Sequence, residues 1–249
     1  MTRLPRIALA FAALPLALGL AACGKGESGD KTADAAAPAA AVPPPAGKTW
    51  ADVVSKTPEG GYLMGNPQAP IKLVEYGSLS CPHCAKLSND GFKPLTETYV
   101  NSGKVNYEYR SFAIHGIDLP LTLLAACGGP ETFFGMVEQL YANQEAVMTR
   151  AQAGDAQAQA AGNLPPAQRI AAVANAYGLT EFFAQRGIAA DQAKACLADT
   201  AGAEAIAKQA ETAAKEGISS TPTLLINGEK LEAHEWKELE PELKNRGAR

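Results

Sequence analysis

Apolar side chains recur with two different periods along this chain, and the two periods predict its strands and helices. Alternating positions in residues 71–76 and 104–112, rich in β-branched and aromatic side chains, are typical of core strands. A shorter apolar run at residues 62–64 predicts a further strand. Residues 221–231 predict a strand, a tight turn at Asn227-Gly228 and a returning strand. The chain therefore carries enough strand signal for a small sheet.

A helical period dominates between the second core strand and the final hairpin. Residues 117–217 carry almost no strand signal, and apolar side chains around Phe133 follow three- and four-residue spacings. The Ala-rich stretch from Asp191 predicts a helix to about Glu216, with Gly202 as a candidate break. A block of about 100 residues is therefore expected to be helical.

Two more predicted helices complete the pattern. Residues 81–100 predict a helix with Pro82 in its first turn and a kink or break at Pro94, and residues 234–246 predict the last helix. The resulting order is strand, strand, helix, strand, helical block, strand hairpin and helix. It predicts an α/β (α+β) fold, and the order resembles a thioredoxin-like sheet with an inserted all-helical domain. The predicted boundaries are 49–113 and 218–249 for the thioredoxin-like domain and 114–217 for the insertion.

The first 22 residues have the features of an export signal. Arg3 and Arg6 precede an apolar stretch of 16 residues, which is shorter than the roughly 20 that a membrane span needs. The sequence Leu-Ala-Ala-Cys that ends at Cys23 resembles the bacterial lipobox, which implies cleavage before Cys23 and lipidation of its thiol. The alternative is a plain signal peptide with an incidental cysteine. Gly24 follows, and by resemblance to lipoprotein sorting rules it favours the outer membrane.

A linker is predicted for residues 23–48. Twelve of the fourteen residues in 33–46 are Ala or Pro, and this composition cannot bury enough apolar surface to offset the entropy of ordering. Pro38 and the three prolines at 43–45 argue against a continuous Ala-rich helix. The segment is therefore interpreted as a tether between an anchor and the folded part.

Composition excludes some partners. The chain has 249 residues, 47% of them hydrophobic, and a net charge of −4; loss of Arg3 and Arg6 with the signal would leave 20 basic and 26 acidic residues, or −6. No basic stripe is present, so a nucleic-acid partner is not expected. Lipidation of Cys23 would leave four of the five cysteines, in a compartment where disulfides persist.

Cys81-Pro82-His83-Cys84 is the strongest chemical motif, because its two thiols lie one helical turn apart. At a helix N-terminus the unpaired N–H groups and the dipole favour a thiolate, so Cys81 is the expected nucleophile at an exposed position. His83 can donate to that thiolate or stabilise its charge, and Cys84 is the buried resolving thiol. The alternatives are half of a zinc site or an inert disulfide. Zinc usually needs four protein ligands, and no second close cysteine pair is present, so no metal is predicted.

These residues resemble a known family. A Cys-Pro-His-Cys motif after an apolar strand, an insertion of about 100 residues and a late strand led by Thr221-Pro222-Thr223 are similar to the DsbA-like thiol:disulfide oxidoreductases. The resemblance covers residues 60–245. It implies a redox-active disulfide between Cys81 and Cys84, with no other cofactor.

The resemblance also implies roles for residues outside the motif. Glu75 shares a strand face with Leu73 and matches the family's buried acid beneath the second cysteine, which would exchange the proton of Cys84. Thr221 and Pro222 match the cis-proline loop, whose backbone pairs with a substrate peptide. Thr221 departs from the bulky aliphatic residue of the strongest oxidases and leans towards isomerase-like or intermediate members.

The other cysteines and histidines lie outside any specific motif. In an exported protein Cys127 and Cys196 are expected to pair as a structural disulfide, with two buried free thiols as the alternative. His115 and His234 are interpreted as solvated surface side chains.

The expected function is the introduction of disulfides into exported, cysteine-containing proteins, at the periplasmic face of a bacterial membrane. A membrane redox partner would reoxidise or reduce the protein, and the lipid at Cys23 would hold it to the membrane. One alternative is a disulfide isomerase or reductase on the same fold. Another is a tethered, non-catalytic binding protein or chaperone whose disulfide only braces the fold.

Overall fold

A computed structural model describes residues 43–248 of the chain, without the side chains of residues 166 and 167. The predicted signal peptide, the lipidation at Cys23 and most of the predicted linker lie outside these residues. Residues 43–49 form neither helix nor strand. No helix within 43–248 is long and apolar enough to cross a bilayer.

A six-stranded mixed sheet forms the centre of the described part. The strands are β1 (Val54–Lys56), β2 (Tyr62–Gly65), β3 (Ile71–Gly77), β4 (Val105–Ser111), β5 (Thr223–Ile226) and β6 (Glu229–Lys230). Their order in the sheet is β1-β2-β4-β3-β5-β6, with β3 and β4 parallel and the other neighbours antiparallel. The sequence missed β1, whose three residues are intermediate or exposed and carry no clear alternation.

The helices within residues 43–248 follow the predicted order. They are α1 (Pro82–Pro94), α2 (Asp118–Ala125), α3 (Pro130–Ala142), α4 (Gln144–Ala153), α5 (Asp155–Ala160), α6 (Pro166–Ala176), α7 (Leu179–Ala184), α8 (Ala190–Leu197), α9 (Thr200–Lys215) and α10 (Trp236–Asn245). Eight of these, α2 to α9, lie between β4 and β5. The predicted mixed α/β architecture is confirmed.

Two local features of the helices bear on the predictions. The first helix changes at Pro94 into a π-helical segment, Leu95–Val100, which agrees with the expected kink or break. The candidate break at Gly202 was wrong, because the helices part at residues 198–199. The Asp199 carboxylate accepts from the Gly202 N–H at 2.9 Å and caps α9, so Gly202 belongs to its first turn.

The final hairpin turns where the sequence predicted. Asn227 and Gly228 both have positive φ, at 53° and 84°, which the two-residue turn between β5 and β6 requires. The hairpin sets β5 beside β3, with Glu75 paired to Leu224. The residues before β5 are thereby brought near the end of β3.

Both faces of the sheet are packed. Leu73, Tyr107 and Ile226 belong to the main core, which also includes the two motif cysteines and residues of α1, α3 and α10. Tyr76 points to the other face and packs with Phe112 and with Ala213 of α9. Alternation along β3 therefore turns Leu73 and Glu75 towards the main core, as expected from the sequence.

Candidate active site

Cys81 and Cys84 lie at the start of α1, directly after the end of β3. Cys81 is the residue that precedes the helix, with extended backbone angles, and Pro82 occupies the first turn. Both thiols are free. Cys81 is only 5% exposed, so the expectation of an exposed sulfur was wrong. One contact with this sulfur comes from the loop before β5, whose Thr221 carbonyl accepts from the Cys81 thiol at 3.4 Å.

The environment of Cys81 favours its thiolate. A hydrogen bond from the Cys84 thiol is the largest of the effects that lower the pKa of Cys81, to about 5, against the opposing cost of burial. The Thr221 side chain and the backbone N–H groups of Cys84 and His83 also lower it. Backbone donors at a helix N-terminus are the physical basis that the sequence suggested.

His83 contacts the Cys81 sulfur through its backbone rather than its ring. The side chain is exposed, and the contact with the Cys81 thiol comes from the His83 backbone N–H. A role for the imidazole in stabilising the thiolate therefore stays a prediction.

Cys84 has the opposite environment. It is fully buried, and desolvation raises the pKa of its thiol well above the usual value, with further increases from the Cys81 hydrogen bond and the Glu75 charge. Gln144 donates to the carbonyls of Leu79 and Cys81, at 2.9 and 3.0 Å, and so holds the turn that carries the first cysteine. The pKa of the Cys81 thiol is therefore lowered, while that of the Cys84 thiol is raised.

Glu75 is the buried acid that the sequence placed on this face. It is 4% exposed, and its Oε2 accepts from the Tyr107 hydroxyl at 2.6 Å. Its Oε1 has no hydrogen-bond partner among the described residues. Burial is the main cause that raises the pKa of Glu75 to about 7, and the charges of Glu138 and Cys81 add to it.

The loop opposite the motif contains a cis peptide bond between Thr221 and Pro222. The resemblance to a cis-proline loop implied a cis bond at this position. The Pro222 carbonyl accepts from His234 Nδ1 at 3.1 Å, and a carbonyl can only accept, so Nδ1 carries the proton. His234 was interpreted as a plain surface side chain; it is exposed, yet it contacts the cis-proline loop.

A buried polar network holds the segment between β3 and α1. The fully buried Asp118 carboxylate accepts from the Ser78 hydroxyl and from the backbone N–H groups of Ser80 and His115. The His115 Nδ1 lies 2.9 Å from the Ser80 hydroxyl, so this histidine also contacts the site. The sequence showed Asp118 only as a helix start, because these partners become neighbours only in the folded chain.

Cys127 and Cys196 form a disulfide that joins the region after α2 to α8, with a Cα–Cα distance of 5.8 Å. The alternative of two free thiols does not occur in this structure. Within residues 43–248, no three His, Cys, Asp or Glu side chains are grouped so as to hold a metal ion.

A Cys-x-x-Cys pair at the first helix of such a sheet, opposite a cis-proline, is the arrangement of thioredoxin-like dithiol proteins. The family model described as Thioredoxin matches residues 57–245. The chain therefore belongs to this family, and the predicted thioredoxin-like fold is confirmed.

Two solved structures are similar to this chain. The crystal structure of protein-disulfide isomerase from Novosphingobium aromaticivorans has 31% identity and a TM-score of 0.69, over 74% of this chain and 95% of that one. Wolbachia pipientis alpha-DsbA1, at 21% identity and a TM-score of 0.60 over 77% of this chain and 92% of its own, shares the fold.

Curated relatives are matched over part of their length. A Rickettsia bellii protein with a provisional protein-disulfide oxidoreductase name is 26% identical over 183 residues, which are 72% of this chain and 62% of that protein. Disulfide bond formation protein D of Bacillus subtilis is 28% identical over 99 residues, 37% of this chain and 45% of its own. The chain thus spans less than two thirds of the length of these relatives.

Proposed function

We propose that this protein is a thiol:disulfide oxidoreductase that introduces disulfides into exported proteins through Cys81 and Cys84. The observation that carries the proposal is the inequality of the two thiols. Cys81 has a pKa lowered to about 5, while burial raises the pKa of Cys84. A dithiol with one stabilised thiolate is a favourable product, so its disulfide is a good oxidant.

The exchange proceeds in two steps with no other cofactor. A substrate thiolate attacks Cys81 Sγ of the Cys81–Cys84 disulfide, forms a mixed disulfide and releases Cys84. A second substrate thiolate then attacks the substrate sulfur of the mixed disulfide and releases Cys81 as a thiolate. Two electrons pass from the substrate to the protein, and the low pKa of Cys81 makes it a good leaving group. Glu75 takes up or returns the proton of Cys84.

The surroundings of the reaction are also part of the proposal. The export signal and the lipobox-like sequence at Cys23 support a site on the periplasmic face of a bacterial membrane, held by a lipid. A membrane redox partner reoxidises the dithiol after each turnover. Replacement of Cys23 by Ser should move the protein from the membrane to the soluble periplasmic fraction, and an unchanged distribution would contradict the anchor.

A second candidate function is disulfide isomerisation. It is favoured by the name of the Novosphingobium aromaticivorans structure, at 31% identity, and by the threonine that precedes Pro222. An isomerase works from the reduced form, in which Cys81 attacks an existing substrate disulfide.

The two functions are separated by the direction of electron flow. Stoichiometric oxidised protein added to reduced, unfolded ribonuclease A should give active ribonuclease, whereas an isomerase should act best when reduced protein is added to scrambled ribonuclease. The reduction potential of the Cys81–Cys84 pair gives an independent measure: about −120 mV supports donation, and about −270 mV supports reduction.

The control for both assays is removal of one thiol. Cys81→Ser should abolish exchange in both assays, while Cys84→Ala should accumulate mixed disulfides with scrambled ribonuclease, because its Cys81 thiolate attacks a ribonuclease disulfide and no second thiol then releases the product. If Cys84→Ala protein forms no mixed disulfide and wild-type protein transfers no disulfide, the protein is not an oxidoreductase, and the tethered binding protein is favoured instead.

A further inference from the structure

Glu75 must exchange protons with water if it serves Cys84, yet it has almost no contact with solvent. Its carboxylate is 4% exposed and lies in the main core. One oxygen is bonded to Tyr107, and the other is unpartnered among residues 43–248. A proton that Glu75 receives from Cys84 therefore needs a route to the surface.

A small cavity provides the first part of such a route. Its volume is about 20 Å³, and Glu75, Tyr107 and Ser88 are its polar lining residues. The remaining lining is apolar, with side chains of α1, β5, α10 and the start of the π-helical segment. A water needs about 10–15 Å³ and at least two polar partners, so the cavity has room for one and has three polar residues in its lining. A water here would link the unpartnered oxygen of Glu75 to the Ser88 hydroxyl.

The second part of the route is a side-chain pair between two helices. The Ser88 hydroxyl on α1 donates a hydrogen bond to Oε1 of Glu138 on α3. Glu138 is only half-buried, so part of the residue contacts solvent while its carboxylate accepts from the Ser88 hydroxyl. This bond joins the insertion to the helix that carries the dithiol.

We propose that Ser88 and Glu138 form the proton route between Glu75 and solvent. The inference deepens the proposed oxidoreductase function and rests on it. Both residues act through Glu75, and neither touches the reacting sulfur atoms.

The electrostatics of the site agree with this route. Burial raises the pKa of Glu138 to about 7, the same value as that of Glu75, and matched acids exchange a proton with little cost. The titratable groups around the pair come from several elements. They are Cys81 before α1, Cys84 on α1, Tyr107 and Tyr109 on β4, and Tyr141 on α3.

The route can be tested by closure of the Cys81–Cys84 disulfide with glutathione disulfide. The Cys81 thiolate breaks the S–S bond of the reagent, forms a mixed disulfide and releases one glutathione. Cys84 then gives its proton to Glu75, attacks Cys81 and releases the second glutathione. Two electrons leave the protein, and the reagent is reduced to two thiols.

The pH of the measurement decides whether Glu75 must lose a proton before Cys84 can attack, and only that proton loss uses the route. At pH 6 Glu75 is mostly protonated and must lose a proton before it accepts one from Cys84. At pH 8 it is already a carboxylate. Glu138 is also mostly uncharged at pH 6, so Glu138→Gln changes little charge there. Ser88→Ala breaks the bridge and keeps the carboxyl group.

The experiment follows the full-length reduced chain after mixing with excess glutathione disulfide, by acid quench and intact-protein mass spectrometry. Appearance of the mixed disulfide reports Cys81, and its decay reports Cys84. Both variants should slow the decay about tenfold at pH 6, less than the 10²–10⁴ of a whole general acid or base because some direct exchange is left. At pH 8 the decay should change by less than about twofold.

Glu131→Gln, at an exposed acid on the same helix α3, is the matched control and should leave both steps unchanged at both pH values. Equal slowing at pH 6 and pH 8 would indicate a structural defect and overturn the route, as would unaltered closure at pH 6 in either variant. If wild-type protein forms no mixed disulfide, the oxidoreductase function fails, and this inference fails with it.

Discussion

Cys81 and Cys84 share one helical turn, yet their thiols experience opposite environments. Hydrogen bonds from the helix N-terminus and from the loop before β5 act on Cys81, whereas Cys84 lies in the apolar core beside an acid. The Cys81 thiolate is thereby a good nucleophile and leaving group, whereas the Cys84 thiol must give up its proton before it can react. This division of roles comes from position within the fold rather than from residue type.

Thr221→Val tests the contribution of the loop to the Cys81 thiolate. The Thr221 hydroxyl is buried and has no hydrogen-bond partner that meets normal geometry within 43–248, yet it lowers the pKa of Cys81. Valine keeps the volume, so we expect the pKa of Cys81 to rise by up to about one unit without loss of stability. The pH dependence of iodoacetamide alkylation measures it. An unchanged or lower pKa would contradict the contact.

Glu75→Gln should have two separate effects. Burial raises the pKa of Glu75 from 4.5 to about 7, so folding favours its neutral form, and the resulting stability is lost as pH rises through 7. The variant should therefore be more stable than wild type at pH 8, by at most about 3 kcal/mol, and nearly equal to it below pH 4.5. It should also slow Cys84 closure. Urea unfolding at both pH values checks the first effect.

The residues of the site differ in how visible they are in the sequence. Cys81, Cys84 and Pro222 stand in short motifs, and Glu75 follows from strand alternation. Tyr107, Gln144 and Glu138 could not be assigned, because each meets the site only through packing of separate elements. A lone tyrosine or glutamate on a predicted element carries no local signal of such a contact.

At the scale of elements, the Cys127–Cys196 disulfide holds the helical block together. It closes a sequence separation of 69 residues between the region after α2 and α8. Asp199 caps α9 three residues beyond Cys196, so the bond also lies near the start of that helix. The disulfide therefore connects the end of α2 to α8, close to the start of α9.

Cys127→Ser should lower the free energy of unfolding by about 4 kcal/mol in the chain-entropy model, because a loop of about 70 residues is released. Closure of Cys81–Cys84 should be retained, since neither cysteine lies in the motif. Cys127→Ser/Cys196→Ser, which leaves no unpaired thiol in the block, is the matched variant. Loss of exchange with the fold intact would mean that the second pair takes part in the redox reaction.

The elements were predicted where their period was strong. β3, β4, α3 and the final hairpin follow directly from alternation or helical spacing. The short helices α4 and α5 lie inside the predicted helical block but were not assigned individually, because residues 144–160 are rich in Ala and Gln and show little amphipathic contrast. The boundary at Asp199 was misplaced, because a capping side chain, and not a glycine, separates α8 from α9.

For the whole molecule, the low pKa of Cys81 links the redox state to stability. In the reduced form the pKa of Cys81 falls from 9.0 to about 5 on folding, so its contribution is fully present above pH 9 and is lost as pH falls through 5. The oxidised form has no such thiol, and Glu75 is present in both. The stability of the reduced form relative to the oxidised form should therefore grow between pH 5 and pH 9.

Thermal unfolding of both redox forms across this range measures the effect. Each kilocalorie per mole corresponds to about 2–4 °C in a protein of this size. Cys81→Ser protein, which cannot form the thiolate, should show no increase relative to oxidised wild type. A difference that is independent of pH in wild-type protein would contradict the thiolate assignment.

The burial of Cys81 has a consequence for chemical damage. A thiolate at neutral pH is the form that peroxides convert to sulfenic and then sulfinic acid, and the last product is irreversible in most proteins. Cys81 is only 5% exposed, and its hydrogen-bond partner is the Cys84 thiol. A sulfenic acid formed on Cys81 would condense with the Cys84 thiol, with loss of water, to give the Cys81–Cys84 disulfide. One oxidation by peroxide would therefore yield the oxidised, disulfide-donating form of the protein and not a damaged cysteine.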